Sequence, residues 1–248
     1  AVASFDVGYS HACAVTTDGA LYCWGDNVWG RLGLGPDRTE TPLPSPQRVG
    51  DANDWMQVAA GQYHTCGLRQ PGTLYCWGIN SSGNLGQGTA SDTPVPSPLQ
   101  VGVRSDWVEL SAGQGDTCAR SAAGEVWCWG SWGETPVSVL SPTQIVLEAP
   151  AVALSTEVFH RCVLAGDGRA WCWGRNIEGQ LGLGDLEPRA APTLLPLSVR
   201  SLSVGRFSTC LVDVDGQPRC AGENSSGQLG LGDVERRSTF TPVLLPAP

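Results

Sequence analysis

Ten cysteines fall into five pairs: Cys13 with Cys23, Cys66 with Cys76, Cys118 with Cys128, Cys162 with Cys172, and Cys210 with Cys220. Nine residues always separate the partners. Three histidines, His11, His64 and His160, each stand two residues before the first cysteine of a pair. Residues two apart on a strand share a face, so His/Cys/Cys clusters offer zinc ligands. The rival chemistry is a disulfide within each pair. Two copies carry Asp116 and Ser208 in the histidine position and keep both cysteines. A site that loses a ligand while its partners stay is a poor zinc site, so the pattern favours five disulfides and no metal. Catalysis has less support. The histidines recur at one repeat position, which argues a structural ring bonded to backbone near the adjoining glycine. No Ser/His/Asp set stands out over the same residues in other copies. Acids are scattered at loop tips, without the paired carboxylates of a glycosidase. No catalytic residue and no cofactor is expected.

The cysteines must be positioned by hairpins. Asp18-Gly19 lies between two short alternating runs, and Gly72, Gly124, Gly168 and Gly216 hold the same offset in the other copies. Glycine at such a tip supplies the positive φ that a tight hairpin needs. A three-residue loop at Thr17–Gly19 sets Val15 opposite Leu21 and Cys13 opposite Cys23. Opposed residues on antiparallel strands have Cα atoms roughly 4.5–5.5 Å apart, within disulfide reach. Chain-entropy reasoning gives each such bridge roughly 3 kcal/mol.

Each hairpin is preceded by a strand-like run, as at residues 1–8, Trp55–Gly61 and Trp107–Gly113, and followed by a Gly-rich turn such as Asn80-Ser-Ser-Gly-Asn-Leu-Gly86. A Thr/Pro-rich link, for example Thr93-Pro94 or Thr241-Pro242, then leads to one more apolar run. Four short strands per repeat, five times over and without helical periodicity, predict an all-β, five-bladed β-propeller of four-stranded antiparallel blades. The repeats fall at about 1–50, 51–102, 103–146, 147–194 and 195–248, as a single domain. The run Thr241–Pro246 is expected to pair with the N-terminal strands and so close the ring, removing sheet edges. The third repeat lacks the Asn…Gly…Leu-Gly turn and reads Ser131-Trp132-Gly133 instead, either a shortened loop or a notch for a partner. Ala221 replaces the tryptophan of the other copies, which is expected to loosen packing there. Tyr22, Tyr75, Trp127 and Trp171 recur mid-strand and are expected between blades.

Composition narrows the partners. The chain of 248 residues carries a net charge of −9, so a phosphate backbone is repelled and nucleic-acid binding disfavoured. Paired cysteines imply an oxidising compartment: secreted, cell-surface or periplasmic. No apolar run reaches the roughly 20 residues of a membrane helix, so no membrane insertion is expected. The first residue, Ala1, reads as the start of a mature or trimmed chain, and a monomer is expected.

The pattern Gly-x-x-His-(Thr/Ala)-Cys…Asp-Gly-x-x-Tyr-Cys-Trp-Gly-x-Asn-x-x-Gly-x-Leu-Gly-x-Gly resembles the regulator of chromosome condensation repeat over nearly the whole chain. That resemblance implies propeller blades with N- and C-terminal strands paired. It also implies nucleotide exchange on a small GTPase and nucleosome binding, which the cysteines and acidic charge argue against here. A secreted, disulfide-bearing bacterial branch, typified by a β-lactamase inhibitory propeller, fits the compartment better and implies a rigid platform that grips a protein.

Candidate binding residues lie just before each first cysteine, near one mouth of the expected ring. Tyr9, Tyr63, Phe159, Phe207 and Arg206 form an aromatic/Arg set of the kind that dominates interface hot spots. Trp29 and Trp132 sit in turns, where an exposed indole invites a partner. The same rings could instead pack between blades. Asn80-Ser-Ser82 and Asn224-Ser-Ser226 match a glycosylation sequon in turns expected to be exposed. The sequence thus reads as an extracellular, non-enzymatic binding or scaffold propeller engaging a protein through an aromatic-rimmed mouth. A glycan-binding module is the alternative, and a hydrolase or lyase ranks behind both.

Overall fold

The computed structural model describes residues 1–36, 41–131 and 138–245. Twenty strands form five four-stranded antiparallel sheets, each built from consecutive strands. Blade 1 contains β1 (Val2–Val7), β2 (His11–Thr16), β3 (Leu21–Gly25) and β4 (Leu43–Arg48). Blade 2 contains β5 (Trp55–Ala60), β6 (His64–Arg69), β7 (Thr73–Asn80) and β8 (Ser91–Gln100). Blade 3 contains β9 (Trp107–Ala112), β10 (Asp116–Ser121), β11 (Val126–Gly130) and β12 (Val139–Ile145). Blade 4 contains β13 (Ala151–Thr156), β14 (His160–Ala165), β15 (Ala170–Gly174) and β16 (Arg189–Leu194). Blade 5 contains β17 (Val199–Val204), β18 (Ser208–Asp213), β19 (Pro218–Gly222) and β20 (Arg237–Pro242). Blades 1–3 form one compact unit and blades 4 and 5 another.

The hairpin register is the one the sequence predicts. Val15 faces Leu21 and Cys13 faces Cys23, with Gly19 at φ +79° in the tip. All five expected disulfides are present. Cys13 is bonded to Cys23, Cys66 to Cys76, Cys118 to Cys128, Cys162 to Cys172 and Cys210 to Cys220. Their Cα atoms are 4.1–4.2 Å apart, closer than the sequence-based expectation of roughly 4.5–5.5 Å. The ladder accounts for the short spacing. The Thr16 amide bonds the Ala20 carbonyl at 2.9 Å, so Thr16/Ala20 is a hydrogen-bonded pair. Alternation along the ladder then makes Cys13/Cys23 a non-hydrogen-bonded pair, the closer of the two kinds. Cys128, Cys172 and Cys220 stand in the same register opposite their partners. Each bridge therefore spans the short rung of its own hairpin.

The fourth strand corrects one expectation. Thr41-Pro42 leads into β4 as a link, but the stretches of blades 2, 4 and 5 are the outer strands themselves: β8 contains Pro94, Pro96 and Pro98, β16 contains Pro192, and β20 ends at Pro242. Proline lacks the N–H that a further neighbour would need, so it suits an edge and blunts it against stray pairing. Because Arg237–Pro242 is already the fourth strand of blade 5, that sheet borrows nothing from the N-terminus. β20 pairs with β19 and β1 with β2, so the expected pairing of N- and C-terminal strands in one blade is not what is found. Pro246, at the end of the run assigned to that pairing, lies outside the described residues.

The core lies between successive sheets. Blade 1 offers Cys13, Val15, Leu21, Cys23, Leu32 and Val49, and blade 2 covers them with Trp55, Val58 and Trp77. The same layers recur between blades 2 and 3, and between blades 4 and 5. Trp171 is buried, while Tyr22, Tyr75 and Trp127 are half-buried. Tyr75 and Trp127 meet Trp55 and Trp107 edge-on, with ring centroids 5.7 and 6.2 Å apart. Blade 5 is not loosened by Ala221. That residue is fully buried, and Phe240 from β20 enters the same cluster and fills the space.

Candidate binding surface

The histidines pin one blade to the next. His11 Nε2 lies 2.7 Å from Thr65 Oγ1, His64 Nε2 2.8 Å from Thr117 Oγ1, and His160 Nε2 2.6 Å from Thr209 Oγ1. Thr65 Oγ1 donates to the Arg31 carbonyl at 2.7 Å, and Thr117 Oγ1 donates to that of Asn84 at 2.9 Å. A hydroxyl has one proton, so each of these two threonines must accept from its histidine, which fixes the Nε2–H tautomer. Burial holds all three imidazoles neutral, pushing each pKa down to about 3. The expected bond to backbone near the glycine is thus replaced by a bond to the neighbouring blade. With every cysteine in a disulfide and every ring turned to a threonine, the His/Cys/Cys zinc reading has no ligands to use. Among the described residues no group of three or more His, Cys, Asp or Glu could hold a metal ion.

Trp77 and Trp129 complete the pin. Their Nε1–H groups donate to the same Arg31 and Asn84 carbonyls, both at 2.9 Å. Each indole lies over a turn glycine, Gly33 or Gly86, where a Cβ would collide with it. The Asn of each turn serves the turn itself. Asn80 Oδ1 accepts from the Leu85 amide at 3.0 Å, and its Nδ2 donates to the Thr89 carbonyl at 2.7 Å. Asn224 does the same with Leu229 and Asp233, at 2.9 and 3.0 Å. Both asparagines are buried, so the sequons do not present an exposed amide.

The candidate binding residues gather into two clusters, one in each unit. In the first, Trp29 meets Tyr63 edge-on at 5.3 Å, and the Arg31 guanidinium lies 5.3 Å from the Trp29 ring. Arg31 is buried and bonds Ser10 Oγ at 2.7 Å and the Gln62 carbonyl at 3.0 Å. Burial pulls its pKa down, against the nearby Asp26. Trp29 is the one non-glycine residue at positive φ among those described, at +62°. An aromatic side chain in that region is strained, and such strain is held where the surroundings insist on it. Tyr9 stands apart, 72% exposed.

In the second unit, Phe159 and Phe207 stack at 5.3 Å with an interplanar angle of 20°. Arg175 lies 4.7 Å from the Phe159 ring and Arg206 5.0 Å from the Phe207 ring. Neither arginine has an ion-pair partner among the described residues, and Arg175 Nε is buried without an acceptor. Trp132, and with it the notch of the third repeat, lies outside the described residues. Sequence reasoning missed Arg31 and Arg175. Arg175 follows its Cys-Trp-Gly directly, a signal visible only when that position is compared with Asp26, Ile79 and Ser131.

These features define a blade-repeat protein of the β-propeller class. The Regulator of chromosome condensation (RCC1) repeat matches residues 18–68, 71–120 and 167–212, and a second form of it matches 2–30 and 57–84. The chain belongs to the RCC1-repeat family. It is 36% identical over 123 residues to the ultraviolet-B receptor UVR8 of Arabidopsis thaliana, covering 50% of this chain and 28% of that one. Against the probable E3 ubiquitin-protein ligase HERC4 of Homo sapiens it is 33% identical over 126 residues, 51% of this chain and 12% of the relative. It therefore spans well under two thirds of these relatives. Human WBSCR16 shares the fold with a TM-score of 0.86 at 23% identity, over 99% of this chain and 67% of that one. Prp20p of Saccharomyces cerevisiae, whose binding to Gsp1p and histones has been described, gives a TM-score of 0.81 at 20% identity, over 95% and 61%.

Proposed function

We propose that this chain is an extracellular scaffold that binds a protein partner through the aromatic and arginine clusters at its turns, without catalysis. The observation that carries this reading is the Phe159–Phe207 stack flanked by Arg175 and Arg206, two guanidiniums without counter-ions among the described residues in a chain of net charge −9. Stacked rings offer apolar area at low entropic cost, and a half-desolvated guanidinium seeks a carboxylate. The partner is accordingly a protein with an acidic, partly apolar patch. Trp29 and Tyr63, held by Arg31, form a second contact of the same kind. Five disulfides support an oxidising compartment. The Prp20p precedent supports a protein partner for this fold, though not the same one.

The test is capture of proteins from the surrounding medium by the oxidised chain, compared with Phe159→Ala/Phe207→Ala and Trp29→Ala/Tyr63→Ala variants, alongside a glycan array. A protein held by the parent and released by the first double variant supports the reading. Binding that ignores both variants, or binding to glycans alone, refutes it.

A further inference from the structure

Blade 5 departs from blades 2 and 3 at two further aromatic positions. The residue before the second cysteine is Tyr75 in blade 2 and Trp127 in blade 3, but Arg219 in blade 5. The residue that opens the first strand is Trp55 in blade 2 and Trp107 in blade 3, but Val199 in blade 5. The ladder sets Trp55 opposite Arg69 and Val199 opposite Asp213, so the positions correspond. In blade 2 both rings have work. Tyr75 packs with Leu34 and Ala52 on the core layer between blades 1 and 2, and the Arg69 guanidinium lies 5.5 and 5.2 Å from the Trp55 and Tyr75 rings. Trp127 packs between blades 2 and 3 in the same way, with the Arg104 guanidinium 4.9 Å from its ring.

Between blades 4 and 5 that place is a pocket of about 460 Å³. Leu183, the counterpart of Leu34, and Leu197 form one wall, and Val214, Arg219 and Phe240 form the other. Phe240 takes the seat of the tryptophan missing at Ala221, but no ring takes the seat of Tyr75. Arg219 is fixed in its wall. Its Nε donates to Asp213 Oδ2 at 2.7 Å, and Asp213 Oδ1 accepts from the Asp215 and Gln217 amides at 3.1 and 2.8 Å. The Arg219–Asp213 pair cancels its own charge. Asp215 also lines the pocket, exposed at the hairpin tip, and forms no ion pair among the described residues. A pocket with apolar walls, one anchored guanidinium face and one unpaired carboxylate at its rim suits a flat ring and repels an anion.

We propose that this pocket binds a small aromatic amine. Its ring takes the seat that Tyr75 and Trp127 fill in the other blades, against Arg219 and Phe240, and its ammonium group meets Asp215. Both walls belong to adjacent blades, and none of Phe159, Phe207, Arg175 or Arg206 lines the pocket, so this site stands or falls apart from the protein-binding surface.

Titration of tryptamine into the oxidised chain, followed by nuclear magnetic resonance, tests this. Saturable shifts are expected at the Leu183, Val214 and Asp215 amides. Indole-3-propionate, which carries a carboxylate in place of the ammonium group, should bind roughly fivefold more weakly. Asp215→Asn, at an exposed tip, should keep the fold and remove that preference. Asp213→Arg/Arg219→Tyr rebuilds the blade-2 arrangement and should abolish tryptamine binding while leaving the remaining resonances in place. Leu197→Trp fills the seat from the opposite wall and should do the same, which covers a failure of the double variant to fold. A parent chain without saturable shifts overturns the proposal. So does tryptamine binding that survives in a folded, filled variant, or a preference for the amine that is absent in the parent or persists in Asp215→Asn.

Discussion

The Phe240 ring lies over Gly182 in the place that the Trp77 indole takes over Gly33. One residue comes from the fourth strand and the other from the third, so blade 5 repairs the loss of its tryptophan with a neighbour on the adjacent strand. Phe240→Ala should cost about 3–5 kcal/mol in urea unfolding. Ala221→Trp alone should overpack by about 1–3 kcal/mol. Combining the two should recover more than half of the Phe240→Ala loss, a sign of shared space that independent sites would not give.

The His64–Thr117 pair should behave as one unit. Thr117→Val keeps the shape but leaves the imidazole N–H without its acceptor, at a cost of about 1–3 kcal/mol. With His64→Ala in place, the same threonine change should cost measurably less. A double-mutant cycle on unfolding free energies reads that coupling.

Acid should unfold this protein earlier than its carboxylates alone require. His11, His64 and His160 stay neutral in the fold, with pKa values of about 3 against an ordinary 6.5. Above pH 6.5 neither folded nor unfolded histidine binds a proton, so their packing is fully felt. As pH falls from 6.5 towards 3 only the unfolded chain takes up protons, and each histidine removes about 1.4 kcal/mol per pH unit. Unfolding measured between pH 7.5 and 4.5 should show that slope, and His64→Gln should flatten it by about a third while lowering stability at pH 7.5.

Non-reducing peptide mapping should find each cysteine joined to the one ten positions away and no thiol free. Replacing Cys66 and Cys76 together by alanine should cost about 2–4 kcal/mol. Reduction should lower the unfolding midpoint without changing the strand content seen at low denaturant.

The ladder within each hairpin was legible because it is local: tip glycine, loop length and alternation fix Cys13 opposite Cys23 with no knowledge of the rest. The contacts between blades were not. Nothing in one sequence says that His64 reaches Thr117 across 53 positions, and glycine beside histidine suggested a local backbone bond instead. Thr93-Pro94 read as a link because a sheet edge, where proline is welcome, looks locally like no sheet at all. The aromatic candidates were found by their repeat position, but their pairing as Trp29–Tyr63 and Phe159–Phe207 depends on which turns meet, and so do the arginines set against them.

Every sulfur bridge closes inside a single hairpin, and none ties two sheets together. Pulled from its ends, such a molecule should come apart like beads from a string, each bead staying knotted. Sheets would part where only side chains hold them, and each release would yield less slack in the oxidised chain than in the reduced one, shortened by the span locked between paired sulfurs. Toughness is thus built into the pieces, while the seams between them rest on tryptophan, threonine and histidine.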